Sequence, residues 1–190
     1  MRPEEFKERW DSSGEATVPM KASDLRALDL NDDSVAFLSI AGLPEAAAPF
    51  LSFAEGSGTP NYCVRLTKRF NFLQQDFDRY VSIGSDGSGD PIAIDTSDGD
   101  CIVALDHEDG FAKRYMNSSL DSLAVFLLGF RDFVQGLMAS KGSSAFMNGD
   151  FTREDLEALH SKFQKVDPRA LVEGHFWETE LQMLSANRRS

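Results

Sequence analysis

The sequence has 190 residues, of which 42% are hydrophobic and 26% are charged, and its formal net charge at pH 7 is -12. These values are ordinary for a soluble globular protein and predict a single domain over residues 1–190 with enough apolar volume for a packed core. The acidic excess argues against nucleic acids and anionic membranes as partners, because both are bound through clusters of Lys and Arg.

The N-terminal third of the chain predicts two helices and a short extended segment. Residues 3–10 place Phe6 and Trp10 four positions apart, on one side of a helix. Residues 31–44 predict a second helix, with Asn or Asp at its start as the N-cap and with Gly and Pro at its end. Residues 49–55 alternate in the manner of a short strand. The charged N-terminus lacks the apolar stretch of a secretory signal, so we expect a cytoplasmic protein.

The middle of the chain predicts an antiparallel sheet. A Gly-rich loop at residues 56–61 and a segment at 62–73 that fits either strand or helix come first. Four short runs rich in β-branched and aromatic residues then follow, with Gly, Asp and Ser turns between the first three. These runs are residues 80–84, 91–95, 101–106 and 112–117. Their spacing of about ten residues favours an antiparallel meander.

A strongly periodic helix follows the predicted sheet. Ser118 or Ser119 is its N-cap, and apolar residues at spacings of three and four continue to Leu137. We expect this wide apolar face to lie against the sheet. The longest apolar run, residues 123–130, is far shorter than the roughly 18 residues of a membrane span.

The remaining chain predicts a linker at residues 141–150 and a C-terminal helical extension at residues 151–186. Thr152 is placed as an N-cap, with Asp155 in the position of the acid in a capping box. The core of the fold is then expected within residues 32–140. Together these elements predict an α+β fold, in which helices wrap an antiparallel meander.

The interval between Arg79 and Lys113 contains no basic residue and many acids. A surface built from these carboxylates would attract a basic protein and accelerate its association. Simple solubility is the alternative explanation. The candidate partner-binding residues in this interval are Asp86, Asp90, Asp95, Asp98, Asp100, Asp106, Glu108 and Asp109.

The stretch IGSDGSGDPIAID, residues 83–95, does not fit the known ion-binding loops. A calcium loop needs Gly at position 6, but a loop that starts at Asp86 has Pro91 there, and one that starts at Asp95 has Asp100. A phosphate-binding loop would need a different glycine spacing and a lysine. We therefore predict no metal and no cofactor. A pair of catalytic carboxylates, as in glycoside hydrolases, stays open, although turn chemistry accounts for these aspartates.

The histidines and cysteines do not indicate a nucleophilic active site. His107, His160 and His175 lie outside any motif with a serine or cysteine nucleophile. Cys63 and Cys101 lack CxxC spacing, and we expect them to be buried free thiols. No enzymatic activity is predicted.

A succession of short motifs runs through the middle of the chain. A strand ends in Ile-Gly, a Gly/Asp-rich turn leads to a strand ending in Asp, and a further strand ends near Asp-His-Glu before a Ser-led helix. The residues concerned are Ile83, Gly84, Asp86, Gly87, Gly89, Ile92, Ile94, Asp95, Gly99, Val103, Asp106, His107 and Glu108. This succession resembles the SUKH superfamily of Smi/Knr-like proteins, and GLP at 42–44 and NSS at 117–119 are similar to its bacterial immunity proteins.

The resemblance implies an α+β fold and a non-catalytic, protein-binding role. Bacterial members are mostly immunity proteins that neutralise polymorphic toxins, often nucleases, whereas fungal relatives act as scaffolds in cell-wall regulation. A nuclease toxin carries a basic groove for its substrate, which an acidic partner can block. We therefore expect an immunity protein with a basic cognate toxin as its partner. A general scaffold that binds several cellular partners is the alternative, and the oligomeric state stays open.

Overall fold

The computed structural model of the chain describes residues 1–53 and 62–189, which form seven α-helices and nine strands. The strands are β1 (Thr17–Val18), β2 (Leu43–Pro44), β3 (Ala46–Ala47), β4 (Leu51–Ser52), β5 (Val64–Arg65), β6 (Tyr80–Ser85), β7 (Pro91–Asp95), β8 (Cys101–Asp106) and β9 (Ala112–Asn117). The helices are α1 (Pro3–Asp11), α2 (Ala22–Arg26), α3 (Asp32–Ile40), α4 (Leu66–Arg69), α5 (Leu120–Lys141), α6 (Arg153–Val166) and α7 (Phe176–Asn187). The predicted loop at 56–61 lies outside the described residues.

The centre of the fold is an antiparallel sheet in the order β3-β4-β6-β7-β8-β9, with β5 also paired to β6. The meander predicted from the four runs after residue 80 is confirmed as β6 to β9. Strand β7 is buried along its whole length, and β6 and β8 are buried except at their last residue. Elements therefore cover both faces of the sheet, which is why these strands appear in the sequence as nearly continuous apolar runs.

Gly84 explains the Ile-Gly pair that ends the first strand of the meander. A Cβ atom at this position would collide with the Ser52 carbonyl oxygen and crowd Phe53. Strand β4 can therefore approach β6 only because residue 84 has no side chain. The register of β6 on β7 also shifts between Ser82 and Gly84, as at a β-bulge.

The first two predicted helices are confirmed. Phe6 and Trp10 of α1 are both buried, and their ring centroids lie 5.6 Å apart. The Asn31 side chain caps α3 by accepting a hydrogen bond from the Ser34 N–H. The segment at 62–73, which fitted either strand or helix, contains both β5 and α4.

Helix α5 is the core helix that the sequence predicts. Ser119 is its N-cap and forms a capping box with Ser122, in which each side chain accepts the other residue's backbone N–H. By length and composition alone α5 could cross a membrane, but half of its most apolar stretch is buried inside the fold. Helix α5 therefore packs as a core helix of this fold.

The C-terminal helices share the core with the sheet. Phe163 of α6 stacks on Phe126 of α5 with centroids 3.9 Å apart, and Trp177 of α7 donates a 2.8 Å hydrogen bond to the Asn117 side chain. The capping box predicted at the start of α6 is present. The predicted linker at 141–150 forms turns and contributes the buried Ala145 to a small cluster with Leu137, Phe151 and Leu156. The division into a core of residues 32–140 and an extension of 151–186 stays a prediction.

Candidate functional site

The eight candidate acids lie in the three turns of the meander or at the strand ends next to them, and so at two ends of the sheet. The β6–β7 and β8–β9 turns meet at one end, because Asp90 from the first lies 2.7 Å from the His107 ring in the second. We call this region, residues 86–90 and 106–111, the paired-turn end. The β7–β8 turn lies at the other end of the strands and with Asp95 and Cys101 forms the single-turn end, residues 95–101.

Asp90 joins the two turns of the paired-turn end. The residue is only 5% exposed, and its carboxylate accepts hydrogen bonds from the His107 backbone N–H at 3.0 Å and from Arg114 Nη2 at 3.0 Å. Burial alone would raise the pKa of Asp90, but the bonds from His107 and the charge of Arg114 outweigh burial and lower it. The same contact raises the pKa of His107. Asp90 therefore holds the two hairpins together and has its charge neutralised within the fold.

Asp86 and Asp106 stabilise the turns in which they occur. Asp86 Oδ1 accepts from the backbone N–H groups of Ser88 and Asp90, at 2.9 and 3.0 Å. Asp106 Oδ1 likewise accepts from Glu108 and the residue after it, at 3.0 and 3.1 Å. These are Asx-type turns, in which aspartate is favoured because its side chain bonds the following backbone. Asp106 is partly exposed and can also face a partner, whereas the Asp86 side chain is nearly buried and lies 3.7 Å from Arg114 Nη2.

A lysine neutralises the single-turn end. Asp95 is fully buried, and its Oδ2 accepts a 3.0 Å hydrogen bond from Lys113 Nζ, which also lies 3.1 Å from Asp98 Oδ2. Burial would lower the pKa of Lys113, but its bonds to these two carboxylates raise it. The Lys113 bond is also the main reason for the lowered pKa of Asp98.

The single-turn end brings together three groups that often bind metals. Ligand atoms of Asp95, Asp98 and Cys101 all lie within 4.8 Å of one another. However, the ammonium of Lys113 bridges the two carboxylates, and burial raises the pKa of the Cys101 thiol to about 12. A protonated thiol and an internal cation are not the donor set that a divalent ion requires.

Asp100 connects the single-turn end to α3. It is 3% exposed, and its Oδ2 accepts a 2.8 Å hydrogen bond from the backbone N–H of Asn31, the N-cap residue of α3. This contact fixes the turn relative to the helix and leaves no carboxylate for a partner. Asp90, Asp95 and Asp100 are thus bonded inside the fold, whereas Glu108 and Asp109 are exposed.

Phenylalanines that the sequence did not single out lie beside the paired-turn end. Phe111 follows the β8–β9 turn, and its ring centroid lies 5.2 Å from that of Phe70, 6.3 Å from Phe72 and 5.8 Å from Phe77. We call these four residues the aromatic patch. The sequence feature that could have indicated the aromatic patch is the pair of phenylalanines in RFNFL. However, the apolar residues around this pair do not recur at a helical or strand period, so no buried or exposed face could be predicted.

The α7 helix brings a further carboxyl group to the paired-turn end. Burial and the neighbouring Asp86 raise the pKa of Glu180 to about 7, while Arg114 opposes the shift. This contact could not be predicted from local sequence patterns, because it joins residues almost a hundred positions apart.

Comparison with known families identifies the chain. The SUKH-4 immunity protein family model matches residues 7–183. The chain belongs to the SUKH-4 immunity protein family. No curated protein and no solved structure matches it. The family match reaches from within α1 into α7, so it includes most of the N-terminal and C-terminal segments that lie outside the motifs around the meander.

Membership of the SUKH-4 family supports an immunity-protein role, and immunity proteins are generally non-catalytic. The site geometry agrees with a binding role rather than a hydrolase. A hydrolytic pair needs two carboxyl groups facing a cleft, whereas Asp90 and Asp95 are bonded to cations within the fold. A groove of about 520 Å³ between α5 and α6 is lined by none of the eight candidate acids.

Proposed function

We propose that this SUKH-4 family protein protects its cell by binding one cognate polymorphic toxin in the cytoplasm. The toxin is a nuclease with a basic substrate groove, which the acidic paired-turn end occupies and blocks. The protein itself binds neither nucleic acid nor membrane, because a net charge of -12 repels both. The family match supports the immunity role.

The observation that carries the proposed binding mode is the exposure of Glu108 and Asp109. Among the described residues no Lys or Arg forms an ion pair with either carboxylate, in contrast to the acids at the single-turn end. Exposed charges of this kind steer a basic partner and raise its association rate. Asp86 and Asp106 shape the turns that present them, and Asp90 fixes the two turns against each other.

The candidate acids of the single-turn end act indirectly in this proposal. Asp95, Asp98 and Asp100 hold the opposite turn in place through Lys113 and Asn31, and so keep the strands in register. They contribute shape rather than charge to recognition.

Co-expression tests the role directly. Cells that produce the toxin encoded beside the gene for this chain should survive only when the chain is present, and the two proteins should co-purify in a fixed ratio. A chain that gives no protection against this toxin is not its immunity protein. Capture of several weakly bound cellular proteins, without a stoichiometric toxin complex, would instead indicate a general scaffold.

Charge variants test the acidic surface. The double change Glu108→Gln and Asp109→Asn should lower the association rate with a catalytically inactive form of that toxin by about threefold or more at low salt, and less at high salt. The matched control, Glu4→Gln with Glu5→Gln, removes two adjacent exposed carboxylates from α1. Equal slowing by both pairs would mean that only net charge matters and that the paired-turn end has no special part.

A further inference from the structure

Phe72 is a large apolar side chain that the fold leaves in solvent. The residue is 72% exposed, and its ring packs edge-on against Phe70, with centroids 6.0 Å apart, and at a tilt against Phe111. Isolated exposed apolar residues are common, but Phe72 is the outermost member of a contiguous group of rings. The aromatic patch therefore presents apolar surface rather than a single side chain.

The base of the aromatic patch is fixed by the same turn that carries the exposed acids. The Phe111 backbone N–H donates a 2.7 Å hydrogen bond to the Asp106 carbonyl, directly across Glu108 and Asp109. The other side of the patch is tied to the sheet, because Arg69 donates hydrogen bonds to the Ser82 hydroxyl and the Gly84 carbonyl. Apolar surface and carboxylates are thus held side by side on a pre-organised support.

Phe50 adds a second exposed ring at the neighbouring turn. It is 64% exposed, and a Cβ atom on Gly87 would lie 3.0 Å from the Phe50 Cβ, so this ring lies against the β6–β7 turn. Because Asp90 and His107 join the two turns, Phe50 and Phe72 belong to the same end of the sheet.

The backbone at these rings is unusual. Phe50 and Phe111 both have left-handed conformations, with φ of 65° and 63°. A bulky residue in this region is strained and persists only where surrounding contacts impose it. Such residues cluster at binding sites, where strain maintains a required orientation.

We infer that Phe50 and Phe72 form the apolar centre of the interface through which this immunity protein binds its toxin. Glu108 and Asp109 then contact cationic side chains of the toxin at the edge of that interface. The inference rests on the proposed function and names the surface it uses. The partner is a protein with a basic surface, because an acidic rim beside the rings is complementary to Lys and Arg, and Arg also stacks on aromatic rings. Aromatic side chains, phenylalanine among them, are enriched in the cores of protein interfaces, and the rim around such a core is polar.

Alanine variants measured against the inactive toxin test this inference. The probe is the toxin domain encoded beside this gene, and its dissociation constant is measured by calorimetry for the intact chain and its variants. Phe72→Ala should weaken binding at least tenfold through a faster dissociation rate, and Phe50→Ala should do so by a smaller factor. The matched control is Met147→Ala, since Met147 is 70% exposed on the loop between α5 and α6. It should bind like the wild type.

The outcomes separate the inference from the proposed function. If the wild type binds the toxin and both phenylalanine variants have dissociation constants within twofold of the wild-type value, the assignment of Phe50 and Phe72 to the apolar centre is wrong and the immunity role is unaffected. If the wild type itself does not bind, the proposed function fails and the inference falls with it. Thermal unfolding of each variant should match the wild type, because both rings are exposed. Gel filtration that shows a wild-type dimer and a Phe72→Ala monomer would identify a second copy as the occupant and overturn the inference.

Discussion

Removal of the buried carboxylate at residue 95 should lower the free energy of unfolding far more than removal of an exposed carboxylate. In Asp95→Ala, Lys113 loses a partner at 3.0 Å, and Ser97 loses hydrogen bonds from its N–H and its hydroxyl at 3.2 and 2.7 Å. Breaking a buried pair costs about 3–5 kcal/mol when the remaining charge stays buried. The side chain of Lys113 is 32% exposed and can reach water, so the low end of that range applies.

The expected loss is therefore about 3 kcal/mol in the free energy of unfolding, or roughly 6–12 °C in the melting temperature of a protein of this size. Asp109→Ala is the matched control, because the Asp109 side chain is exposed and has no hydrogen bond or ion pair within the described residues. Its unfolding free energy should stay within about 0.5 kcal/mol of the wild type.

Urea denaturation followed by tryptophan fluorescence measures both variants. Trp10 and Trp177 are buried, so their emission reports unfolding of both ends of the chain. The midpoint should fall for Asp95→Ala with an unchanged slope, since a slope change would indicate an altered denatured state. In toxin binding, the larger effect should come from the other variant. Folded Asp95→Ala should bind like the wild type, whereas Asp109→Ala should associate more slowly. Equal midpoints for the two variants would refute the assignment of Asp95 to the fold and Asp109 to the surface.

Three further predictions follow from the contacts at the site and in the core. An NMR titration should give His107 a pKa above its ordinary value, and Asp90→Asn should lower that pKa. Because the pKa is higher in the folded state, the contact between protonated His107 and Asp90 stabilises the fold fully below about pH 6.5, and this stabilisation is lost as the pH rises through the folded pKa. Glu180→Gln should stabilise the protein relative to the wild type, by an amount that grows from about pH 4.5 to about pH 7 and is constant above, because over that range the wild-type carboxyl is ionised when unfolded but protonated when folded. Phe163→Ala should lower the free energy of unfolding by about 3–5 kcal/mol, because the ring is fully buried against Phe126. Urea should unfold this variant in a single transition, and two separate transitions would show that α6 folds independently.

Local chemistry was enough to predict the meander and the helix starts. Ser119 and Thr152 cap α5 and α6 through bonds to residues three positions ahead, and such bonds depend only on neighbouring sequence. The strands of the meander likewise follow from short apolar runs between turn residues. Sequence reasoning succeeded wherever the decisive interaction lies within one turn or one hairpin.

The charge of the candidate site could not be predicted in the same way. The interval without basic residues is bounded by Arg79 and Lys113, and these two side chains fold back onto the buried Asp95. Arg114, one residue further, does the same for Asp90, 24 positions away. A count of charges along the chain therefore overestimates the acidity of the surface, because the neutralising cations reach these carboxylates only in the folded protein.

This neutralisation limits what the acids can do in recognition. A buried carboxylate needs a fixed partner, so most of the interval is used to build the turns, and few unpaired charges stay outside. Exposed charges that are few and screened by salt mainly accelerate encounter, and they add little to the lifetime of a complex. The lifetime must then come from apolar contact, and beside Glu108 and Asp109 the fold offers Phe72 on its aromatic support. In the proposed complex, the exposed carboxylates would therefore attract the basic toxin, and the exposed phenylalanines would keep it bound.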